Sequence, residues 1–341
     1  MGAEAAAAAL GPDVPALVGR LNAAARSWHP GAEITAVREL PGGESSLTFL
    51  ASVDAAPHDR IVVKVAPAGL PARRNRNMLR QARLLAGLGP AGTVPVPLLL
   101  FAEDGTDGPL FAMSHCEGSA LEPNVDDAEE GLPGPGVLGA RAFSAARALA
   151  ALHRTELTAP WWAEEEPVSL GAEITRWEKA LRTLPADFGL AWADCGERLR
   201  ATEPVPVVPC LTHGDFRLGN MLCRGTEVTA VIDWEIWSRG DPRVDLAWFV
   251  LSLDGDHPAA VRSAPGLPGT DALLREYAEA YGEDVGEMAW FLALALFKLT
   301  ATTGLIAKHA LKRGDTAAWG VRMLPRLPAA LAKARLLLDE L

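Results

Sequence analysis

The run Leu211-Thr212-His213-Gly214-Asp215-Phe216-Arg217-Leu218-Gly219-Asn220, followed after one turn by the apolar stretch 228–232 and then Asp233, concentrates residue types that suit phosphoryl transfer. Such a reaction needs a carboxylate to take the proton of the attacking hydroxyl. It also needs oxygen ligands that hold a magnesium ion against the phosphates. Asp215 and Asn220 stand five apart, so one loop can aim the first at the hydroxyl while the second returns to the metal. The turn at 224–227 lets the following strand bring Asp233 beside Asn220. A loop aspartate capping a helix, with an asparagine in a turn, is the bland alternative. The pattern H-G-D-x-x-x-x-N arises by accident on the order of once in a few hundred chains of this length, and the apolar strand ending in aspartate makes coincidence rarer still.

A second candidate is Lys64 in Ile61-Val62-Val63-Lys64-Val65, the only lysine among the first 178 residues. An ammonium embedded in an apolar strand is costly without a partner, so a phosphate or carboxylate should face it.

The elements that must position these groups divide the chain in two. Residues 34–40, 47–53 and 60–65 read as three strands separated by the turn clusters PGGESS and DAAPHD. Helix formers follow over 72–88, with Met78, Leu84, Leu85 and Leu88 on one side and Gly89-Pro90 as the expected stop. Two further apolar segments, 98–102 and 110–113, complete a sheet of about five strands. Residues 122–136 carry Pro/Gly turns and an acidic run and read as an exposed loop, and 139–154 repeats Ala and Leu at helical spacing. The rest is mainly helical apart from the segment near 212–234. The apolar stretch 290–296 reads as a short buried helix stopped by Lys298. The expectation is an α+β chain with a small sheet-plus-helix part at 1–116 and a larger helical part at 117–341.

These motifs resemble the aminoglycoside phosphotransferase family, whose two-lobed fold is that of the protein kinases, over about residues 40–297. The closest flavour, carried by 213–222 and 232–249, is the bacterial phosphotransferases similar to the kinase-like domain fused to some acyl-CoA dehydrogenases. The resemblance implies Asp215 as catalytic base, Asn220 and Asp233 as magnesium ligands, and Lys64 on the α- and β-phosphates of ATP or GTP. Arg217 stands two after the base, where many protein kinases place a lysine near the γ-phosphate. Gly43, Ser45 and Ser46 lie in a hairpin able to cover the phosphates, although it lacks G-x-G-x-x-G. Met113, Ser114 and Cys116 join the two parts and would offer backbone to the nucleotide base. One departure is plain. Kinases pair the strand lysine with a glutamate on the next helix, whereas 72–88 holds no acidic residue and Gln81 stands at the sought position, so either Gln81 holds Lys64 by a neutral hydrogen bond or nucleotide orders Lys64. The five arginines of that helix read as a solvated face, with an anion such as a coenzyme A thioester as the rival reading.

Asp245, in Asp241-Pro242-Arg243-Val244-Asp245, is expected to brace the catalytic loop, with His153 and His213 as buried hydrogen-bonding residues. Trp161, Trp162, Trp177 and Trp192 suit helix packing or an acceptor pocket.

Composition excludes more than it identifies. The net charge of −11 argues against nucleic acid as partner. Residues 1–113 are balanced at 10 acidic and 10 basic, so the whole imbalance lies beyond them. A cationic or neutral polar hydroxyl acceptor, such as an antibiotic or a metabolite, is therefore expected over a polyanion. Four cysteines without C-x-x-C spacing fit a reduced cytoplasm, and the opening MGAEAAAAAL offers no basic leader or lipidation signal. No membrane partner is expected. Two rival functions are a nucleotide-binding adaptor lacking transfer activity, for which Gln81 is the one argument, and a metal-dependent phosphohydrolase, which the scattered histidines do not support.

Overall fold

The computed structural model describes residues 14–40, 46–55, 57–67, 74–105, 107–126, 131–258 and 260–341, and these fall into two compact units. The first comprises the described residues of Met1–Gly118 together with Leu157–Ala159 and Thr229–Ile236. Its helix α1 (Val14–Trp28) precedes strands β1 (Glu33–Glu39), β2 (Leu47–Ala55) and β3 (His58–Val65). Helix α2 (Met78–Ala91) and strands β4 (Leu99–Glu103) and β5 (Leu110–Ser114) follow. The five strands form one antiparallel sheet in the order β1-β2-β3-β5-β4. Each strand agrees with the sequence expectation to within two residues at its ends, the usual uncertainty of such boundaries.

Strand β3 is central, and the alternation of the pleat decides where Lys64 goes. Ile61, Val63 and Val65 join Leu17 and Leu21 of α1, Phe49 and Phe101 in the core on one face. Lys64, out of step with them, lies on the other face between Thr48 of β2 and Phe111 of β5.

Helix α2 departs from expectation at both ends. A 3₁₀ turn, Arg74–Arg76, precedes it, and Asn77 caps it by accepting from the Arg80 N–H at 3.0 Å. The Gly89-Pro90 stop does not hold: the helix runs to Ala91 and ends at Gly92, whose φ of +64° closes it in the left-handed conformation. Proline late in a helix removes only one hydrogen bond, and Gly89 before it has no Cβ to clash with the ring.

The second unit comprises Ser119–Glu156, Pro160–Val228 and Trp237–Leu341. Its helices are α3 (Pro135–His153), α4 (Pro160–Ala163), α5 (Leu170–Leu181), α6 (Ala193–Ala201), α7 (Pro242–Leu253), α8 (Thr270–Tyr281), α9 (Met288–Lys312), α10 (Trp319–Met323) and α11 (Leu327–Asp339). The chain also holds two short ribbons: β6 (Cys210–Thr212) pairs with β9 (Ser238–Gly240), and β7 (Met221–Arg224) with β8 (Glu227–Val231).

Helix α9 is the axis of this unit. Trp290, Phe291, Leu294, Leu296, Phe297 and Leu299 are all buried, with Ile174, Trp177, Leu199 and Leu331 of neighbouring helices in the same core. The short helix expected at 290–296 is therefore a 25-residue helix, and Lys298 lies inside it rather than ending it. By length and composition α9 could cross a membrane, but 72% of its most apolar window is buried within the protein. Apolar residues all round a helix are what a core position demands.

Candidate active site

Chain direction and one helix cap build the loop at 213–220. Strand β6 delivers the chain to His213, and β7 takes it away after Asn220. Opposite the loop, Asp241 caps α7 by accepting from the Arg243 N–H at 3.0 Å, with Pro242 in the first turn. The cap fixes the start of α7, and with it the face that carries Asp245 and, three residues on, Trp248.

Asp245 is fully buried. Its carboxylate accepts from the backbone N–H of His213 at 2.5 Å and of Gly214 at 2.8 Å, with His153 Nε2 at 3.6 Å. Burial alone would raise this carboxyl's pKa, but the His153 ring, the His213 ring and the His213 N–H hold it below the ordinary value. Gly214 adopts a φ of +85°, which favours glycine here. His153 Nδ1 meets the Tyr277 hydroxyl at 2.7 Å, so both expected histidines are buried parts of this framework.

The Asp215 side chain is held by three donors. Trp248 Nε1 donates to Oδ1 at 2.7 Å, whereas Asn220 Nδ2 at 2.8 Å and Arg217 Nε at 3.2 Å donate to Oδ2. A carboxylate offers about four acceptor positions. The fourth, on Oδ1, is left for a further donor such as an alcohol. Because Asn220 spends its NH₂ on Asp215, its carbonyl oxygen is the atom that could take a cation.

Arg217 reaches further, from Asp215 to Glu122 Oε2 at 3.2 Å, and the Gly219 N–H donates to the same oxygen at 3.1 Å. Burial works against the guanidinium charge, but Asp215 and Glu122 outweigh it and keep the arginine firmly protonated. Glu122 corrects the expected exposed loop at 122–136: Glu122, Pro123 and Asn124 are buried, because they pack beneath Gly219 and against 252–254. Burial pushes the Glu122 carboxyl up to about 7.

That value carries a test. With the folded pKa raised from an ordinary 4.5, the folded state keeps a proton that the unfolded chain has released. Stability from this group is full below the unfolded value and declines as pH rises towards 7. Glu122→Gln, which cannot titrate, is expected to remove up to about 1.4 kcal/mol per pH unit of that slope. Urea unfolding of both proteins from pH 5 to 7.5 measures it. Parallel profiles would refute the assignment.

In the first unit Lys64 Nζ meets Asp233 Oδ1 at 2.5 Å. Asp233 has a φ of +66°, rare for a residue with a side chain and frequent at functional sites. Gln81 is buried and donates to the Asn75 carbonyl at 2.9 Å. Among the described residues the partner of Lys64 is thus Asp233, in place of the glutamine bond considered from the sequence.

Ser114 exchanges hydrogen bonds with the Leu98 backbone through its N–H and its hydroxyl, each at 2.9 Å. Met113 is buried beside it, and Cys116 is half-buried, its thiol pushed up by burial. Ser46 is buried, with no hydrogen-bond partner for its hydroxyl among the described residues. Gly43 and Ser45 lie outside the described residues.

Among the described residues no group of three or more His, Cys, Asp or Glu is arranged to hold a metal. Phosphoryl-transfer sites take only one or two metal-binding oxygens from the protein, with substrate phosphates and water supplying the others.

Sequence reading missed Trp248, Glu122 and Lys298. Lys298 Nζ donates to the Gly214 carbonyl at 2.5 Å and sits 3.9 Å from the centre of the Trp248 ring. It carries the same signal as Lys64, a lysine in an apolar run. Trp248 could have been found from its helical spacing to Asp245. Glu122 gave no such signal. Of the tryptophans weighed for an acceptor pocket, Trp177 belongs to the helical core, whereas Trp161 and Trp162 cluster edge-on and tilted with Trp237.

A five-stranded sheet with its central lysine, a helical unit and a loop that holds an aspartate and an asparagine together define a protein-kinase-like fold. The chain belongs to the phosphotransferase enzyme family, whose match covers residues 36–291. A putative aminoglycoside phosphotransferase from Ralstonia eutropha superposes with a TM-score of 0.72 at 20% identity, covering 96% of this chain and 98% of that one. A ternary complex of aminoglycoside phosphotransferase APH(4)-Ia with AMP-PNP and hygromycin B gives 0.60 at 16% identity, covering 88% and 95%. In sequence, acyl-CoA dehydrogenase family member 10 of Mus musculus is 25% identical over 74% of this chain. Member 11 of the same species is 25% identical over 78%. The matched regions span only 25% and 35% of those relatives' own lengths.

Proposed function

We propose that this chain is a small-molecule O-kinase that transfers the γ-phosphoryl group of ATP or GTP to a hydroxyl of an antibiotic or metabolite. The observation that carries the reading is the Asp215 carboxylate, oriented by Trp248, Asn220 and Arg217 with one acceptor position to spare. Asp215 accepts the alcohol's proton there as the oxygen attacks phosphorus. Asp245 fixes the backbone before the base, so the carboxylate is aimed before substrate arrives. Lys64 receives the nucleotide phosphates, exchanging part of its contact with Asp233 for theirs. Magnesium, held by Asn220 and Asp233, would neutralise charge on the transferring group. In-line transfer needs no histidine acid, in keeping with the framework roles of His153 and His213.

The family membership, the fold and the nucleotide analogue bound to a structural neighbour support this reading. The acidic balance after residue 113 favours a cationic or neutral acceptor, and the unpaired cysteine spacing favours a cytoplasmic setting. The deciding experiment incubates the purified chain with magnesium and labelled ATP or GTP against a panel of aminoglycosides, macrolides, hydroxy acids and polyols. A phosphorylated acceptor is expected. Nucleotide binding without any transfer, to acceptor or to water, would favour the adaptor reading instead, for which the buried Gln81 is the specific observation.

Lys64 and Gln81 should separate by titration calorimetry with ATP. Lys64→Ala removes the cation and is expected to weaken binding at least about 10-fold, since hydrogen bonds to charged groups contribute about 1.5–3 kcal/mol. Gln81→Ala loses one neutral hydrogen bond to Asn75 and should cost about 1 kcal/mol or less. Equal damage from both would mean that Gln81 is an obligatory partner of the nucleotide site.

A further inference from the structure

A lysine in the middle of α9, among Phe297, Leu299 and Trp177, is out of place as a packing residue. Burying its ammonium costs free energy that a methionine of similar length would not. Burial also lowers its pKa, against the pull of Asp215 and Asp245. What the charge does is visible in its two contacts.

The first is the Gly214 carbonyl, which accepts from Lys298 Nζ. Asp245 already holds the N–H groups of His213 and Gly214, so its grip ends one peptide short of the base. Lys298 holds the carbonyl of the next peptide, the unit that leads directly into Asp215. Without it, the peptide between Gly214 and Asp215 would keep only the 3.2 Å bond from its N–H to His213 Nδ1, with its carbonyl released next to a glycine at φ +85°.

The second contact is the face of Trp248, with Nζ 3.9 Å from the ring centre. A cation over an indole face is attracted to its π-electrons. It draws electron density from the ring and makes the N–H a stronger donor, and that N–H is the one pointing at Asp215 Oδ1. One ammonium thus acts on the base by two routes, through backbone and through indole.

We propose that Lys298 is a positioning residue for Asp215, fixing the 214–215 peptide through the Gly214 carbonyl and fixing the carboxylate through Trp248. The proposal deepens the kinase reading and rests on Asp215 being its base.

The test uses the ¹⁵N-labelled full chain, with the Trp248 indole resonance assigned by its loss in Trp248→Phe. Lys298→Met keeps the side-chain length and removes the charge, so the fold should survive and thermal melting should show it. Exchange of the Trp248 indole proton with water is expected to quicken at least about 10-fold in Lys298→Met and to stay near the parent rate in Lys298→Arg. Phosphoryl transfer from MgATP to water should fall by about 10- to 100-fold in kcat, with KM for ATP within a factor of about two, the size of a misplaced catalytic group. The kcat losses of Lys298→Met and Trp248→Phe should not multiply in the double variant, because part of the effect runs through the same ring.

Parent-like indole exchange in a folded Lys298→Met protein overturns the proposal, as does a kcat loss matched by an equal rise in KM. Should Lys298→Met not fold, Lys298→Gln, which keeps a donor without the charge, is read by the same exchange measurement. Indole exchange needs no turnover. A fully active Asp215→Asn would therefore remove the base reading alone, while the exchange rate still reports whether Lys298 holds this segment.

Discussion

Asp215→Asn is expected to lower kcat by at least ~10²-fold, the usual scale of lost general-base catalysis, while ATP affinity stays within a few-fold of the parent. The argument is one of donors and acceptors. Trp248, Asn220 and Arg217 all donate to this carboxylate, so it serves as an acceptor at every occupied position. Asparagine replaces one oxygen with an NH₂ group, which must then face a donor. The charge that takes the alcohol's proton goes, and the hydrogen-bond pattern that aims the side chain goes with it. Single-turnover kinetics with labelled ATP, beside titration of ATP binding, separate the two quantities. Transfer at the parent rate would show that another group is the base.

The second large effect belongs to Asp245→Ala. This carboxylate is fully buried and satisfies two backbone N–H groups, with His153 beside it. Alanine leaves both buried N–H groups without their acceptor. Breaking a buried pair in this way costs about 3–5 kcal/mol, a large part of the stability of a typical domain. Asp245→Asn keeps one acceptor and should cost clearly less. The pH dependence follows from the depressed pKa of Asp245. Its contribution is complete above the ordinary carboxylate value and is lost as pH falls through the lower, folded one. Urea unfolding near neutral pH and below about pH 4 tests this: the gap between parent and Asp245→Ala should narrow in acid. A variant as stable as the parent at neutral pH would show that the two N–H groups find other partners.

Trp248 and Lys298 show how a site can be half legible in a sequence. Asp215, Asn220, Asp233 and Lys64 stand out because their types and spacing match a chemistry, and the pattern needs no knowledge of distant chain. Their supports come from elsewhere. Lys298 follows Gly214 by 84 residues and Glu122 precedes Gly219 by 97, and the side chains meet only because helices and loops pack.

By itself, the sequence determined the five strands, since alternation and turn residues are local, and the lysine on the central strand. It also determined the loop at 213–220 with its aspartate and asparagine, and the brace from Asp245, whose place after the Asp-Pro cap is a local rule. It did not determine the length of α9, because a lysine reads as a helix's exposed end until the packing shows what lies around it. Nor did it determine that 122–124 is buried, because turn-forming residues look alike whether they face water or the underside of a loop. Tertiary structure alone decided that Lys64 pairs with Asp233, 169 residues away, while Gln81 turns to Asn75. The physical reason is common to all three. A buried charge takes its partner from whatever the fold brings within about 3 Å, and neighbours in space need not be neighbours in the chain.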